Sequence, residues 1–292
     1  MTEVHHELTA ADRAAMTSLR AMLAANPTAI TRASYDALFE RVPPPDGVEY
    51  SESQVGGVRG VWCLPTSHRA GIAMLYLHGG GFVFGTARAY RHFVGHIAAR
   101  SGVPAFVADY RLAPEHPFPA ALDDAGAAYR SLAGQLGAEH VALVGDSAGG
   151  GLALTLLQEE ADARCGVLLS PWTDLALTGE SMESKADDDP FMTRAGLEAG
   201  ARQYLGDHDR RDPRASPLYG PPRGARIQIH VGTAEILLDD SLRLGRQDGV
   251  EVHTWEGMPH VFPSSIGLFE AARAALDLIS AFLRAQLAPD AI

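Results

Sequence analysis

Along the chain, short continuous apolar runs alternate with longer stretches in which apolar positions recur every three to four residues. The runs fall at Ile72 to Leu77, Val103 to Ala108, Val141 to Val144, Val167 to Leu169, Ile227 to Val231 and Val250 to Trp255. They are rich in β-branched residues and show no alternation, which is the mark of strands buried on both faces. Strand followed by helix, repeated, predicts a mostly parallel sheet with helices on both sides, an α/β fold. Ahead of these runs, Val48 to Pro65 alternates around Gly56-Gly57 and Gly60, which predicts two antiparallel strands joined by a tight turn.

The flanks read differently. Residues 9 to 40 carry two helical patterns, the first opening at Thr9 with Asp12 three positions on, and Pro27 separates the two before Pro43-Pro44-Pro45 breaks the chain. At the other end Leu268, Ala272, Leu276, Ile279, Leu283 and Leu287 fall at helical spacing, while Glu270, Arg273, Asp277 and Arg284 fall elsewhere, so one apolar stripe should pack on the sheet. Between Thr178 and Pro217 the strand rhythm stops, and Asp187-Asp188-Asp189-Pro190 leads into a helical stretch from Thr193 to Leu205. The organisation expected is N-terminal cap helices over residues 1–45, a first part of a catalytic core over 46–177, a cap insertion over 178–217 and a second part of the core over 218–292. No internal repeat or low-complexity tract interrupts it.

Composition narrows the partners. With 292 residues, 46% hydrophobic and 21% charged, the chain can bury a large core, which argues against wholesale disorder. A formal charge of -12 repels phosphate backbones and anionic lipid, so neither nucleic acid nor a charged membrane surface is expected. The longest uncharged stretch, Gly71 to Ala87, is broken by His78 and three glycines and is too short for a bilayer span. Cys63 and Cys165 each lie in an apolar run and read as buried thiols. Glu3, Glu7 and Asp12 stand where a secretory leader needs basic and then apolar residues, so a cytoplasmic location is expected.

The strongest chemical signal is Val141 to Val144 running into Gly145-Asp146-Ser147-Ala148-Gly149 and then the apolar helical run Leu152 to Leu157. A strand, a sharp turn and a helix are the context that G-x-S-x-G needs to present a nucleophilic serine. Small residues at 145 and 149 are required because the turn is crowded, and the helix N-terminus aims the Ala148 N–H at a developing oxyanion. A glycine-rich helix start with no chemistry is the alternative, and a second motif weighs against it. Leu75-Tyr76-Leu77 ends in His78-Gly79-Gly80-Gly81, a glycine loop expected to supply oxyanion donors from Gly79 and Gly80. His78 and Gly81 are read as support for that loop. Neither cluster is a phosphate loop, since Gly occupies position 151 where a lysine would be needed.

Chain order then calls for an acid and a histidine after the serine. His260, in Gly257-Met258-Pro259-His260, follows the last strand and is the candidate base. For the acid, Glu235, Asp239 and Asp240 all follow the preceding strand. Glu235 lies closest to the strand end, whereas Asp239 and Asp240 read as N-terminal charge on the next helix; Asp239 stays open as the alternative. No metal or cofactor is required. His92 and His96 stand one turn apart, but Phe93 takes the place of the glutamate in H-E-x-x-H, so they read as a polar helix face. His5 and His6 read as a frayed terminus, and Asp187 to Asp189 as a solvated run.

With His78 to Gly81, Gly145 to Gly150 and His260 in this order, the chain resembles the bacterial hormone-sensitive-lipase-like (family IV) esterases of the α/β-hydrolase superfamily. Asp109 to Ala121 resembles the family's segment after the glycine loop, and Ser170-Pro171-Trp172-Thr173-Asp174 its stretch after the nucleophile. The resemblance implies an eight-stranded mostly parallel sheet, a helical cap, hydrolysis of short-acyl carboxylic esters through Ser147, His260 and Glu235, and homodimers. One departure stands out, since most members place Asp where Glu235 stands. Lactonase, amidase or deformylase chemistry would use the same triad. Plant gibberellin receptors resemble the family without being hydrolases, but they lack the catalytic histidine. Phe82, Phe84, Trp172, Phe191, Tyr204 and Phe262 are candidate pocket liners, with plain core the alternative for each.

Overall fold

The computed structural model describes residues 2–25, 30–160, 162–221 and 224–287. Its strands are β1 (Thr2–His6), β2 (Val48–Val55), β3 (Val58–Pro65), β4 (Ala73–Leu77), β5 (Ala105–Ala108), β6 (Val141–Asp146), β7 (Cys165–Leu169), β8 (Arg226–Gly232) and β9 (Val250–Trp255). The helices are α1 (Ala10–Ala25), α2 (Arg32–Phe39), α3 (Ala87–Ser101), α4 (Ala120–Leu136), α5 (Ser147–Glu159), α6 (Ser181–Ser184), α7 (Arg194–Leu205), α8 (Leu238–Leu244) and α9 (Glu270–Gln286). They build an α/β-hydrolase fold around one sheet of order β1-β9-β8-β7-β6-β4-β5-β3-β2, in which only the β2–β3 and β3–β5 pairings are antiparallel.

The sheet follows from the pattern of the sequence. Strands β4, β5, β6 and β7 bury every residue, as continuous apolar runs require when helices cover both faces. The β2–β3 hairpin turns at Gly56 and Gly57, whose φ of 60° and 82° suit the two-residue turn that matches strand twist. Both cysteines are buried and free. Among the described residues, no helix is long and apolar enough to cross a membrane. Because β4, β6, β7, β8 and β9 run parallel, the loops that follow them gather along one edge, where α/β sheets place their sites.

Three local expectations change. The sheet has nine strands rather than eight, because Thr2–His6 pairs with β9 from Thr2↔Glu251 to His6↔Trp255. The terminal histidines are therefore held: His6 Nε2 lies 2.9 Å from His253 Nδ1, the His6 ring stacks 3.8 Å above Trp255, and His5 Nδ1 meets Thr254 Oγ1 at 3.2 Å. Five residues with Val4 as their one apolar member are too few to show a strand period. The last helix begins at Glu270, so Leu268 falls outside it and is exposed, while Ala272, Leu276, Ile279 and Leu283 are buried as the stripe requires. Its first turn is capped from another element, since Asp12 of α1, itself buried, accepts the Glu270 and Ala271 N–H groups at 2.7 and 3.2 Å. Pro27 lies outside the described residues.

Candidate active site

Ser147 stands where β6 turns into α5, with φ of 50°. A Cβ at Gly145 would overlap the Gly149 carbonyl, and one at Gly149 would overlap the carbonyls of Leu77 and His78. The elbow thus closes only with glycine at both positions, and the strained serine is held by backbone packed against backbone. Phe82, Ser170 and Val261 also have positive φ, between 45° and 65°, and all three lie in the loops that meet Ser147. For a β-branched residue such as Val261 that conformation is unusual.

Glu235 and His260 arrive from the loops after β8 and β9. His260 Nε2 lies 3.0 Å from Ser147 Oγ, and His260 Nδ1 lies 2.7 Å from Glu235 Oε2. An ionised carboxylate only accepts, so Nδ1 carries the imidazole proton and Nε2 is free to accept from the serine hydroxyl. Glu235 is fully buried, and its other oxygen accepts from Ser170 Oγ and the Gly232 N–H, each at 2.7 Å. Ser170 Oγ in turn accepts the Val261 N–H at 3.0 Å, so one hydroxyl joins the acid to the residue after His260. The motif around Ser170 is visible in the sequence, but nothing in it indicates this bridge. Burial alone would lower the His260 pKa; the hydrogen bond and charge of Glu235, with Asp189 and Asp146 behind it, outweigh burial and leave it raised.

The glycine loop departs from expectation at one position. Gly79 N–H donates to Asp146 Oδ1 at 2.9 Å, so it is not available to an oxyanion. Asp146 is fully buried and also accepts from Tyr76 and Tyr90 hydroxyls at 2.8 and 3.2 Å, while burial pushes its carboxyl up to about 6. The N–H groups of Gly80 and Gly81 meet no acceptor among the described residues, and that of Ala148 lies in the first turn of α5, where helix amides are unpaired. Gly80 has φ of 108°, and a Cβ there would overlap the Phe84 carbonyl. His78 is buried beneath the loop, with Nδ1 2.8 Å from the Gly79 carbonyl and its ring stacked 4.4 Å from Tyr110, which places it as a brace.

A family model described as alpha/beta hydrolase fold matches residues 74–264. An acetyl-hydrolase of Streptomyces hygroscopicus is 36% identical over 87% of this chain and 88% of its own, and an esterase of Acinetobacter venetianus is 33% identical over 85% and 86%. Among solved structures, an esterase from the bacterial hormone-sensitive lipase family superposes with TM-score 0.88 at 34% identity, covering 96% of this chain and 99% of that one. The chain belongs to this family of esterases. In this hormone-sensitive-lipase-family member the carboxylate that meets His260 Nδ1 is a glutamate, Glu235.

The candidate pocket residues of this esterase separate into groups. Phe82 stacks on Tyr204 at 3.8 Å and lies 5.8 Å from Trp172, whose backbone N–H donates to the Ser147 carbonyl at 2.9 Å; all three rings are buried. Phe84 lies apart, against Tyr35 of α2 at 5.6 Å. Phe262 is fully buried against Trp255 and Phe269, with Phe191 packed on the same cluster, so Phe262 is core of the β9 side.

Two acidic readings are corrected. Asp239 accepts the Ser181 N–H at 2.9 Å, and the fully buried Asp240 accepts the Thr173 and Asp174 N–H groups at 2.7 and 2.9 Å, so both clamp distant loops rather than merely complementing the α8 dipole. Burial, with the nearby Asp174 charge, pushes the Asp240 carboxyl up to about 7. In the acidic run, Asp187 and Asp188 are exposed but Asp189 is buried, accepting three backbone N–H groups. His92 and His96 on α3 bond the carbonyls of Val42 and Pro43, each at 2.9 Å, which ties the proline segment to the helix.

Proposed function

We propose that this esterase hydrolyses short-acyl carboxylic esters with Ser147 as nucleophile, His260 as general base and Glu235 as the acid that orients it. The observation that carries the reading is the continuous chain from Ser147 Oγ through both imidazole nitrogens to a fully buried carboxylate. Ser147 Oγ attacks the ester carbonyl as His260 Nε2 takes its proton, and Glu235 stabilises the imidazolium. Gly80, Gly81 and Ala148 N–H groups receive the oxyanion, with Gly81 in place of the Gly79 donor that Asp146 occupies. Collapse of the tetrahedral adduct expels the alkoxide, which takes the proton from His260. Water then attacks the acyl-serine, its proton passes through His260 back to Ser147 Oγ, and the carboxylic acid leaves.

Residues 178–217 and the N-terminal helices form the cap in this reading. On one side Arg32 of α2 donates to the Val83 and Ala113 carbonyls at 2.8 Å and pairs with Glu115 at 2.6 Å. On the other, α7 lies over the glycine loop, where a Cβ on Gly200 would come 3.5 Å from the Gly81 carbonyl. The Phe82–Tyr204 stack and the buried Trp172 tilted against it support a short acyl group, because a long chain beside Ser147 would have to displace buried rings. The Streptomyces acetyl-hydrolase supports the same class.

Hydrolysis of p-nitrophenyl esters from acetyl to palmitoyl, by wild type and Ser147→Ala, tests the reading. Turnover is expected to peak at the short chains and to fall by roughly 10⁴-fold or more in the variant, with folding unchanged. Activity that survives the substitution places the nucleophile elsewhere, and a palmitoyl optimum overturns the acyl preference.

A further inference from the structure

We propose that Asp189 is a positioning residue for the triad, its buried carboxylate holding the Glu235 loop in place and standing as a further negative charge behind His260. The inference rests on the triad reading above. Asp189 is the last of three consecutive aspartates, and it alone turns inward. Its Oδ2 accepts the Ile236 N–H at 2.9 Å, the amide immediately after Glu235. Its Oδ1 accepts the N–H groups of Phe191 and Met192, both at 2.9 Å. Three amides on one carboxylate are what a buried anion needs to remain in place without a cationic partner. Glu235 is thus fastened on two sides, by Gly232 and Ser170 through its own carboxylate and by Asp189 through the next peptide.

The anchor belongs to the insertion rather than to the sheet. Asp189 N–H closes a turn onto the Lys185 carbonyl at 3.0 Å, and Arg20 of α1 reaches the carbonyls of Asp187 and Asp188. A shift of this segment would therefore be felt at the acid. The charges around it divide by exposure: Asp187 and Asp188 face solvent, and Lys185 pairs with Asp188 at 3.2 Å, so water screens them. Three carboxylates bear on His260, namely Glu235, Asp189 and Asp146, and each favours its protonated form. Removing the Asp189 charge should lower the His260 pKa, so the acidic limb of kcat/KM, where a neutral base is required, should move to lower pH.

The test compares Asp189→Asn and Asp188→Asn with wild type on p-nitrophenyl acetate, with thermal melts alongside. For Asp189→Asn the expected result is kcat lower by about tenfold, as small misplacements of catalytic groups cost, KM within about twofold, and an acidic limb displaced to lower pH. Asp188→Asn should match wild type. Asp189→Ser provides a second neutral side chain should the amide fail to fold, and Asp189→Glu, which keeps the charge, should restore the wild-type limb. An unmoved limb in a folded neutral variant overturns the proposal and leaves Asp189 a purely structural cap. Loss of activity in Ser147→Ala under the same conditions separates that outcome from failure of the triad itself.

Discussion

The serine half and the acid–histidine half of the site are built on different physics. Ser147 is placed sterically, by a five-residue turn in which neighbouring backbone leaves no room for a Cβ at Gly145 or Gly149. Glu235 and His260 are placed by hydrogen bonds drawn from separate loops: Ser170 and Gly232 bind Glu235 directly, Ser170 also holds Val261 beside His260, and Asp189 acts through the peptide after Glu235. The steric half has little room for partial failure, because a backbone overlap is either absent or severe. The polar half can lose members one at a time, and each loss has its own size.

The largest effect expected in the polar half comes from the acid itself. Glu235→Gln keeps the shape but presents an amide to His260 Nδ1, so the tautomer that leaves Nε2 free to accept is no longer favoured; kcat should fall by about 10³- to 10⁴-fold. Asp239→Asn, which alters only the clamp on Ser181, should cost little rate. Steady-state kinetics of the two purified variants decide this, and the reverse order would move the acid to Asp239.

Gly149→Ala probes the steric half. The new Cβ would press on the carbonyls of Leu77 and His78, both part of the β4 end, so relief requires movement of strand or helix backbone. A loss of about 3 kcal/mol is expected, near the upper end for overpacking, seen as a thermal midpoint lower by roughly 5–10 °C. A variant as stable as wild type would show that the elbow has slack, and the contrast between the halves would fail.

This division also explains what could be read from the sequence. A steric turn must be written in consecutive residues, so Gly145 to Gly149 with its strand and helix is legible in the sequence, as are the buried strands. Hydrogen-bond partners need not be near in sequence. From the sequence Asp239 and Asp240 read as helix-dipole charges, because the loops they clamp lie 58 and 67 residues away. Gly79, Gly80 and Gly81 are indistinguishable as letters, and only the buried Asp146, at the unspecified position of G-x-S-x-G, takes one of their N–H groups away. Asp189 hid in an acidic run, since the inward turn of one carboxylate leaves no periodic trace, and β1 is too short to give one.

The smallest effect expected is at Ser170, and it measures how the polar half shares its work. Ser170→Ala removes a donor to Glu235 Oε1, which keeps the Gly232 N–H, and leaves the Val261 N–H without its acceptor. A buried amide without a partner costs about 1–3 kcal/mol, but part of that falls on folding rather than on rate. A drop in kcat/KM of about tenfold, roughly 1.4 kcal/mol, is expected together with a lowered thermal midpoint. A drop approaching that of Glu235→Gln would mean that the acid cannot hold His260 without the serine bridge. No drop would mean that Gly232 and the peptide anchor after Glu235 suffice, and the acid–histidine half would then be as tightly determined as the elbow it faces.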